Sequence, residues 1–363
     1  MNNKISSLKC HYGPWRYMLV VAASFLIFLS GCNNSNENIP DISNININLH
    51  TSRFDKDLYA IDTNHIGEGL QKLYARYPDF LNYFLDTLMA YGIRGNYSDT
   101  SQGIRELDTF LTYKDYVDLE DTIKKKYPGN KDIDKELTDG FRFMKYYLPG
   151  YTAPRIIYLN MGLSKWSSFP VDTTTLCVGL DMFLGDGFPH YKDVGIPSYM
   201  DAHFRRTYLP VSVFSTVYQT MHPFVSDDKT LLDLMVQRGK EQYFLHKILP
   251  YTPDSVLFGF TQIQLNWCGQ NEGLVYNFFI HQQLLYNKEG HYITPYVYDG
   301  PFAKDLESPS DPVKVTPGNI GTWLGYRIVC GYMAEHSGVS LQELLAGHND
   351  ATKLLEEARY RPK

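Results

Sequence analysis

The chain has 363 residues, of which 44% are hydrophobic, and its formal net charge is -6. A chain of this length and apolar content can bury a large core in one or two domains. The mildly acidic balance lacks the basic footprint of proteins that bind nucleic acid, so we expect no nucleic-acid partner.

The first 31 residues have the three parts of a bacterial lipoprotein signal peptide. Three basic residues precede the apolar run of 17–29, which ends at the small residues Ser30 and Gly31 before Cys32. The run is shorter than the roughly 20 residues that a bilayer span needs, and an uncleaved anchor helix is the alternative. We predict cleavage after Gly31 and acyl chains such as palmitate on Cys32, which hold the mature protein on a membrane.

The remaining cysteines fit an exported protein that does not depend on disulfides. Removing residues 1–31 takes away three positive charges and no negative ones, so the formal charge falls from -6 to -9. Cys177, Cys268 and Cys330 then remain besides Cys32, and none forms a CxxC metal spacing. We predict three buried free thiols, with a single disulfide as the alternative.

After the lipidation site the chain is predicted to form a flexible tether followed by one folded domain. An asparagine-rich segment at 32–43 is too polar to fold alone, so it is predicted to be a flexible tether. The alternation of Ile45, Ile47 and Leu49 predicts entry into a strand. One domain is therefore predicted over residues 44–363.

Helical periodicity dominates that domain, with apolar β-rich runs in the middle. Strands are predicted over 155–159 and 176–183. Helices are predicted over 64–77, 79–90, 101–126, 131–147, 208–221, 229–248, 255–267 and 272–285, with a last one starting near 320. The expected fold class is α+β, mainly helical, with a small central sheet.

The segment 291–317 is predicted to be a long loop, because it is rich in proline and aspartate. The chain contains 29 tyrosines, and Tyr292, Tyr296 and Tyr298 fall in this segment. A polar loop cannot bury all three, and exposed tyrosines favour interfaces and sugar faces. These three residues are therefore candidates for interaction with a partner.

The predicted last helix carries two further candidates, Trp323 and Arg327. If Arg327 is buried in this apolar helix it must be paired, and an ion pair with an acidic residue is expected, with anion binding as the alternative. Gly321 and Gly325 lie one turn apart on the same helix. Their spacing predicts close packing against another backbone inside a soluble domain.

Four stretches together with the lipidation signal form a recognisable pattern, namely Arg53–Leu58, Tyr77–Phe80, Val178–Gly185 and Gly318–Gly325. They resemble the gliding-motility lipoprotein B family (GldB) of the Bacteroidetes over nearly all of the mature chain. The resemblance implies a component required for gliding, linked with type IX secretion, whose partners are other envelope or motility proteins. The family has no established catalytic residues, so the resemblance implies no catalytic, cofactor or metal residue here.

A more distant resemblance is to zincin peptidases, whose active helix carries His-Glu-x-x-His. The corresponding helices here include Val213–Tyr218 and Leu234–Lys240, and neither contains a histidine or a glutamate. No His-x-x-x-His pair exists anywhere in the chain. We therefore predict a degenerate zincin-like domain, a pseudoenzyme without a catalytic or metal site.

Three functions remain open on these grounds. The first is a non-catalytic binding or scaffolding lipoprotein of the motility and secretion machinery. The second is an envelope hydrolase, peptidase-like, with an unconventional site, and the third is a lipoprotein that binds glycans through its tyrosines. Glu37 is the only charge close behind Cys32, which favours the periplasmic face over surface export, while the inner and outer membranes remain equal alternatives.

Overall fold

The computed structural model describes residues 39–362, apart from 94, 96, 98–100, 165–166, 304, 307–314 and 348–349. The predicted signal peptide, Cys32 and the first part of the predicted tether lie outside the described residues. The chain divides into Met1–Asp41 and Ile42–Lys363, and the fold described below belongs to the second unit. Within the described part, no helix combines the length and the apolar content needed to cross a bilayer.

The second unit contains a four-stranded mixed sheet in the order β1-β2-β4-β3. The strands are β1 (Thr51–Arg53), β2 (Arg155–Leu159), β3 (Ser168–Asp172) and β4 (Thr175–Gly179). Strands β1, β2 and β4 are parallel, whereas β3 runs antiparallel to β4. The two inner strands are covered on both faces, which explains their continuous apolar sequences. Strand β3 contains Pro170, which is tolerated because β3 lies at the edge of the sheet.

Helices pack on both faces of this sheet. They are α1 (Phe54–Leu58), α2 (Ile66–Arg76), α3 (Pro78–Tyr83, continued by a π-helical turn at Phe84–Leu88), α4 (Gln102–Thr112), α5 (Lys114–Lys126), α6 (Lys131–Tyr147), α7 (His190–Asp193), α8 (Leu209–Met221), α9 (Leu231–Ile248), α10 (Asp254–Leu257), α11 (Gln262–Gln270), α12 (Glu272–His281), α13 (Gly290–Ile293), α14 (Ile320–Glu335), α15 (Leu341–Ala346) and α16 (Ala351–Glu357).

The sheet separates two hydrophobic cores, because successive side chains of a strand point to opposite faces. Ile156 and Val178 point into the larger core, which is built from helices α5 to α16. Ile157 and Cys177 point into a smaller core formed with helices α1 to α4. Both inner strands therefore contribute to both cores, and the sheet holds the two helical layers together.

Helices α9 and α14 cross at a point where their backbones touch. A Cβ atom added to Gly325 of α14 would lie 1.8 Å from the carbonyl oxygen of Met235 on α9. A Cβ added to Gly239 of α9 would lie 2.3 Å from the carbonyl carbon of Gly325. This crossing confirms the close approach predicted for Gly325. Gly321 makes a second one, since its added Cβ would lie 2.7 Å from the carbonyl oxygen of Tyr296.

The mainly helical class and the small sheet are confirmed, while several boundaries differ from the predictions. The strand predicted from Ile45 begins only at Thr51, and β4 ends at Gly179, where a 3-10 turn takes over. The helix predicted over 255–267 is two helices, since Gly259 adopts a φ of +67° between α10 and α11.

The sequence pattern does not predict strand β3, because serine, proline and aspartate interrupt the apolar residues whose alternation would indicate a strand. The predicted long loop at 291–317 begins instead with α13 and a 3-10 turn at Thr294–Tyr296. Cys177 and Cys268 are free and buried, as predicted, whereas Cys330 is only half-buried, which corrects the prediction that all three thiols are buried.

Candidate functional site

The candidate functional site is a pocket of about 430 Å³ between helices α8 and α9, here called the α8–α9 pocket. The end of α8, the segment 222–225, the face of α9 and the last residues of α15 line it. A capping box fixes the start of α9, in which Thr230 and Asp233 each bond the other's backbone N–H. Helix α8 ends at Met221, and its C-cap His222 begins the segment that lines the pocket after the helix.

A hydrogen-bond network around Glu241 of α9 lies at one side of this pocket. Ser215 and Gln219 stand one turn apart on α8, and both donate to Oε1 of Glu241, Gln219 from 3.0 Å. Arg238 donates to Oε2 from 3.0 Å. Both carboxylate oxygens of this buried residue are therefore satisfied. Burial raises the pKa of the neighbouring Tyr218 phenol, and the Glu241 charge raises it further.

Arg238 links this network to the segment that follows α13. Its guanidinium carbon lies 4.1 Å from the ring centre of Phe224 and 5.5 Å from that of Tyr298. Cation–π contacts of this kind hold an aromatic ring over a charge. Tyr298 is thus fixed beside the pocket while its side chain remains 41% exposed.

Lys240 lies in the wall of the pocket, and it is 4% exposed. Its ammonium donates one long hydrogen bond, 3.4 Å, to the carbonyl oxygen of Gly347. Burial lowers the pKa of Lys240. The pKa of the nearby His222 is also lowered, first by burial and then by the charge of Lys240, so this imidazole is neutral at pH 7.

A second group of buried polar residues lies at the carboxyl ends of the parallel strands. Asp55 follows β1, Asn160 follows β2 and Asp181 follows β4. Asn160 donates to Glu120 of α5 at 3.2 Å, and Asp181 accepts the backbone N–H of Leu163 at 2.8 Å. This edge is where open α/β sheets carry ligand sites. Glu120 and Asp181 are 1% and 0% exposed, however, so a substrate cannot reach them in this conformation.

Both carboxyl groups have raised pKa values in the fold. Burial is the main cause for each, and the charge of Asp55 adds to it; the pKa of Glu120 rises to about 7 and that of Asp181 to about 6. Lys124 approaches Glu120 only to 3.8 Å. The fold therefore disfavours the ionised form of the Glu120 carboxyl group.

Replacing Glu120 with glutamine is expected to stabilise the protein above pH 7 by roughly 3 kcal/mol. The pKa of Glu120 is higher in the folded protein than in the unfolded chain, so the folded protein binds more protons than the unfolded chain between about pH 4.5 and 7. The free energy of unfolding of the wild type therefore falls as the pH rises through that window. Urea unfolding at pH 4 and pH 8 measures this. Asp121→Asn, on the exposed side of the same helix, should leave the pH dependence unchanged, and a Glu120→Gln curve parallel to wild type would contradict the assignment.

Among the predicted interaction residues, Tyr292 and Tyr298 are 53% and 41% exposed. Tyr296 and Trp323 are 3% and 6% exposed, so the prediction that they face a partner is corrected. Tyr296 packs its ring on Phe279 at 5.1 Å, because the segment folds into α13 and a 3-10 turn that places this ring inward.

Trp323 is buried because its helix, α14, packs in the larger core. Arg327 of the same helix pairs with Glu272 at 3.2 Å, and Tyr360 donates to the same Glu272 oxygen at 2.6 Å. Arg327 is half-buried, and it has the acidic partner that was predicted for it.

Sequence reasoning missed Lys240 and Glu241, the two charged residues that define the pocket. The signal was present, because Arg238, Lys240 and Glu241 interrupt a helix that is otherwise largely apolar. In the described part of the chain, no three His, Cys, Asp or Glu side chains are grouped so that they could hold a metal ion.

Comparison with known proteins identifies the family of the whole domain. No curated protein and no solved structure matches this chain. A family model described as gliding motility protein GldB matches residues 35–362. The match spans both cores, the sheet and the α8–α9 pocket, and the chain therefore belongs to the GldB family of gliding motility proteins.

Proposed function

We propose that this protein is a membrane-anchored envelope lipoprotein that acts as a non-catalytic binding or scaffolding component of the gliding-motility and type IX secretion machinery. Membership of the GldB family supports the motility role. The sequence Ser30-Gly31-Cys32 after an apolar run supports a lipid anchor on Cys32. The domain stands on the periplasmic face of its membrane and meets other envelope proteins there.

The hydrogen bonds around Glu241 carry the non-catalytic part of the proposal. A zincin holds its metal with two imidazoles one helical turn apart and a third ligand from elsewhere in the fold. Here Ser215 and Gln219 have that one-turn spacing on α8 and both donate to Glu241 on α9. A hydroxyl and an amide are poor substitutes for imidazole, and Arg238 supplies the positive charge next to the carboxylate. These contacts support a zincin-like domain in which side-chain hydrogen bonds have replaced the metal.

Crosslinking in the native host tests the proposal. The tagged full chain and its Cys32→Ala variant are compared after separation of membrane and soluble fractions. We expect the wild type in the membrane fraction, crosslinked to motility or secretion proteins, and the variant released from the membrane with those crosslinks reduced at least fivefold.

Two results would overturn the proposed function. One is equal membrane retention and equal crosslinking of the wild type and Cys32→Ala. The other is close to one zinc per chain by plasma mass spectrometry, together with peptide cleavage that Glu241→Gln abolishes. Arg206→Gln, which breaks an ion pair with Glu136 away from the pocket, serves as the matched control for the cleavage assay.

A further inference from the structure

The α8–α9 pocket contains a buried positive charge without a counter-ion. Among the described residues, no carboxylate lies within ion-pair distance of the Lys240 ammonium, whose hydrogen bond goes to the Gly347 carbonyl at 3.4 Å. A buried ammonium is costly unless it is paired. The site is therefore electrostatically incomplete as it stands.

The two acidic residues that line the pocket are already engaged elsewhere. Glu241 accepts from Ser215, Gln219 and Arg238. Asp233 accepts the backbone N–H and the hydroxyl of Thr230 at 2.9 and 2.8 Å, which fixes it at the start of α9. Neither carboxylate is directed at Lys240.

The rest of the pocket suits a ligand with one anionic group and an apolar body. Met221, Phe224 and Leu345 give it apolar walls, and the neutral His222 adds a hydrogen-bond donor near Lys240. Its volume of about 430 Å³ falls in the range of small-molecule sites. Gln237 exchanges two hydrogen bonds with the backbone of Val225, at 3.0 and 2.9 Å, so one wall is held in place before any ligand arrives.

We propose that the α8–α9 pocket binds a carboxylate carried on an apolar group, with the Lys240 ammonium as its counter-ion. The ligand is the free C-terminus of a peptide or a free carboxylic acid, since both present the same chemistry to the pocket. The proposal rests on the non-catalytic function, because Glu241 stays bonded to Ser215 and Gln219 and leaves the ligand intact.

Titration calorimetry on the full chain in detergent tests this with three probes. They are acetyl-Ala-Leu with a free C-terminus, the same peptide as its C-terminal amide, and isovalerate. We expect the free peptide acid to bind at least tenfold more tightly than the amide. Isovalerate binding as tightly as the peptide acid assigns the pocket to free acids, and weaker isovalerate binding assigns it to peptide termini; either result supports the proposal.

Variants show whether the binding depends on this pocket. Lys240→Met should weaken binding of the peptide acid at least tenfold and keep the wild-type circular dichroism spectrum, because it removes a buried charge at similar volume. Ala346→Trp obstructs the pocket from an exposed position of its lining and should give the same loss. Lys192→Met, an exposed lysine outside the pocket, is the matched control and should bind as the wild type does.

The inference would be overturned if no probe binds, if the peptide acid and its amide bind equally, or if inorganic phosphate binds as tightly as the peptide acid. It would also be overturned if Lys240→Met and Ala346→Trp both bind the peptide acid as tightly as the wild type does. Cleavage of the bound peptide would contradict the proposed non-catalytic function, but it would not contradict the carboxylate site. Failure of all probes, with the envelope crosslinks still present, would remove the carboxylate site and leave the proposed function intact.

Discussion

Replacing Gly325 with alanine is expected to lower the free energy of unfolding by about 3 kcal/mol or more. The added methyl group would lie 1.8 Å from the Met235 carbonyl oxygen, which belongs to the backbone of α9 and cannot rotate away. Helices α9 and α14 would have to separate, and both are buried in the larger core. Urea unfolding followed by circular dichroism measures the loss.

Gly331 provides the matched control, because it lies on the same helix. A Cβ added there would come no closer than 3.4 Å to its nearest neighbour, the Ala358 carbonyl oxygen. Gly331→Ala should change the stability by less than about 1 kcal/mol, in the stabilising direction, since alanine favours a helix over glycine. Equal unfolding midpoints for the two variants would show that the helices do not touch at Gly325.

Replacing Arg53 with methionine should cost about 3–5 kcal/mol, because it leaves a buried carboxylate without its partner. The guanidinium of Arg53 donates to Asp55 from 2.8 Å and to the Tyr127 carbonyl oxygen from 2.8 Å. Asp55 is buried, and its charge already disfavours ionisation of Glu120 and Asp181. Thermal and urea unfolding at pH 7 measure the effect.

Two comparisons isolate the buried pair. The double variant Arg53→Met/Asp55→Leu should recover at least half of the loss, because a buried ion pair is often replaceable by apolar groups. Arg76→Met breaks a more exposed pair with Asp57 and should cost less than about 1 kcal/mol. A double variant as unstable as Arg53→Met would show that the loss comes from packing and not from the stranded charge.

The helices and inner strands follow from the sequence because local signals and tertiary packing agree there. Helix α6 begins and ends where its periodicity predicts, and the all-apolar core of β2 is typical of a strand covered on both faces. Strand β3 could not be predicted, since it pairs with one neighbour only and its residues carry turn chemistry. The register of β3 depends on its pairing with β4, and the residues of β3 alone carry no information about that partner.

The candidate site was less predictable than the fold. The resemblance to zincins points to histidines that this chain does not have. The pocket is instead defined by Lys240 and Glu241, which from the sequence alone would be taken for charged residues on the surface. Whether a lysine inside a helix is exposed depends on which helices cover it, and α15 lies about 100 residues further along the chain. The burial of Tyr296 has the same cause, since α12 supplies the rings that it packs on.

The strand order has a consequence for the nascent chain. Strand β1 pairs with β2, although about 100 residues separate them, and closing so long a loop costs entropy before any pairing energy is gained. The apolar faces of α1 to α4 complete their core only with side chains from β2, β3 and β4. Until those strands have been synthesised, the first third of the domain exposes an incomplete core, which is the kind of surface that chaperones hold during biosynthesis.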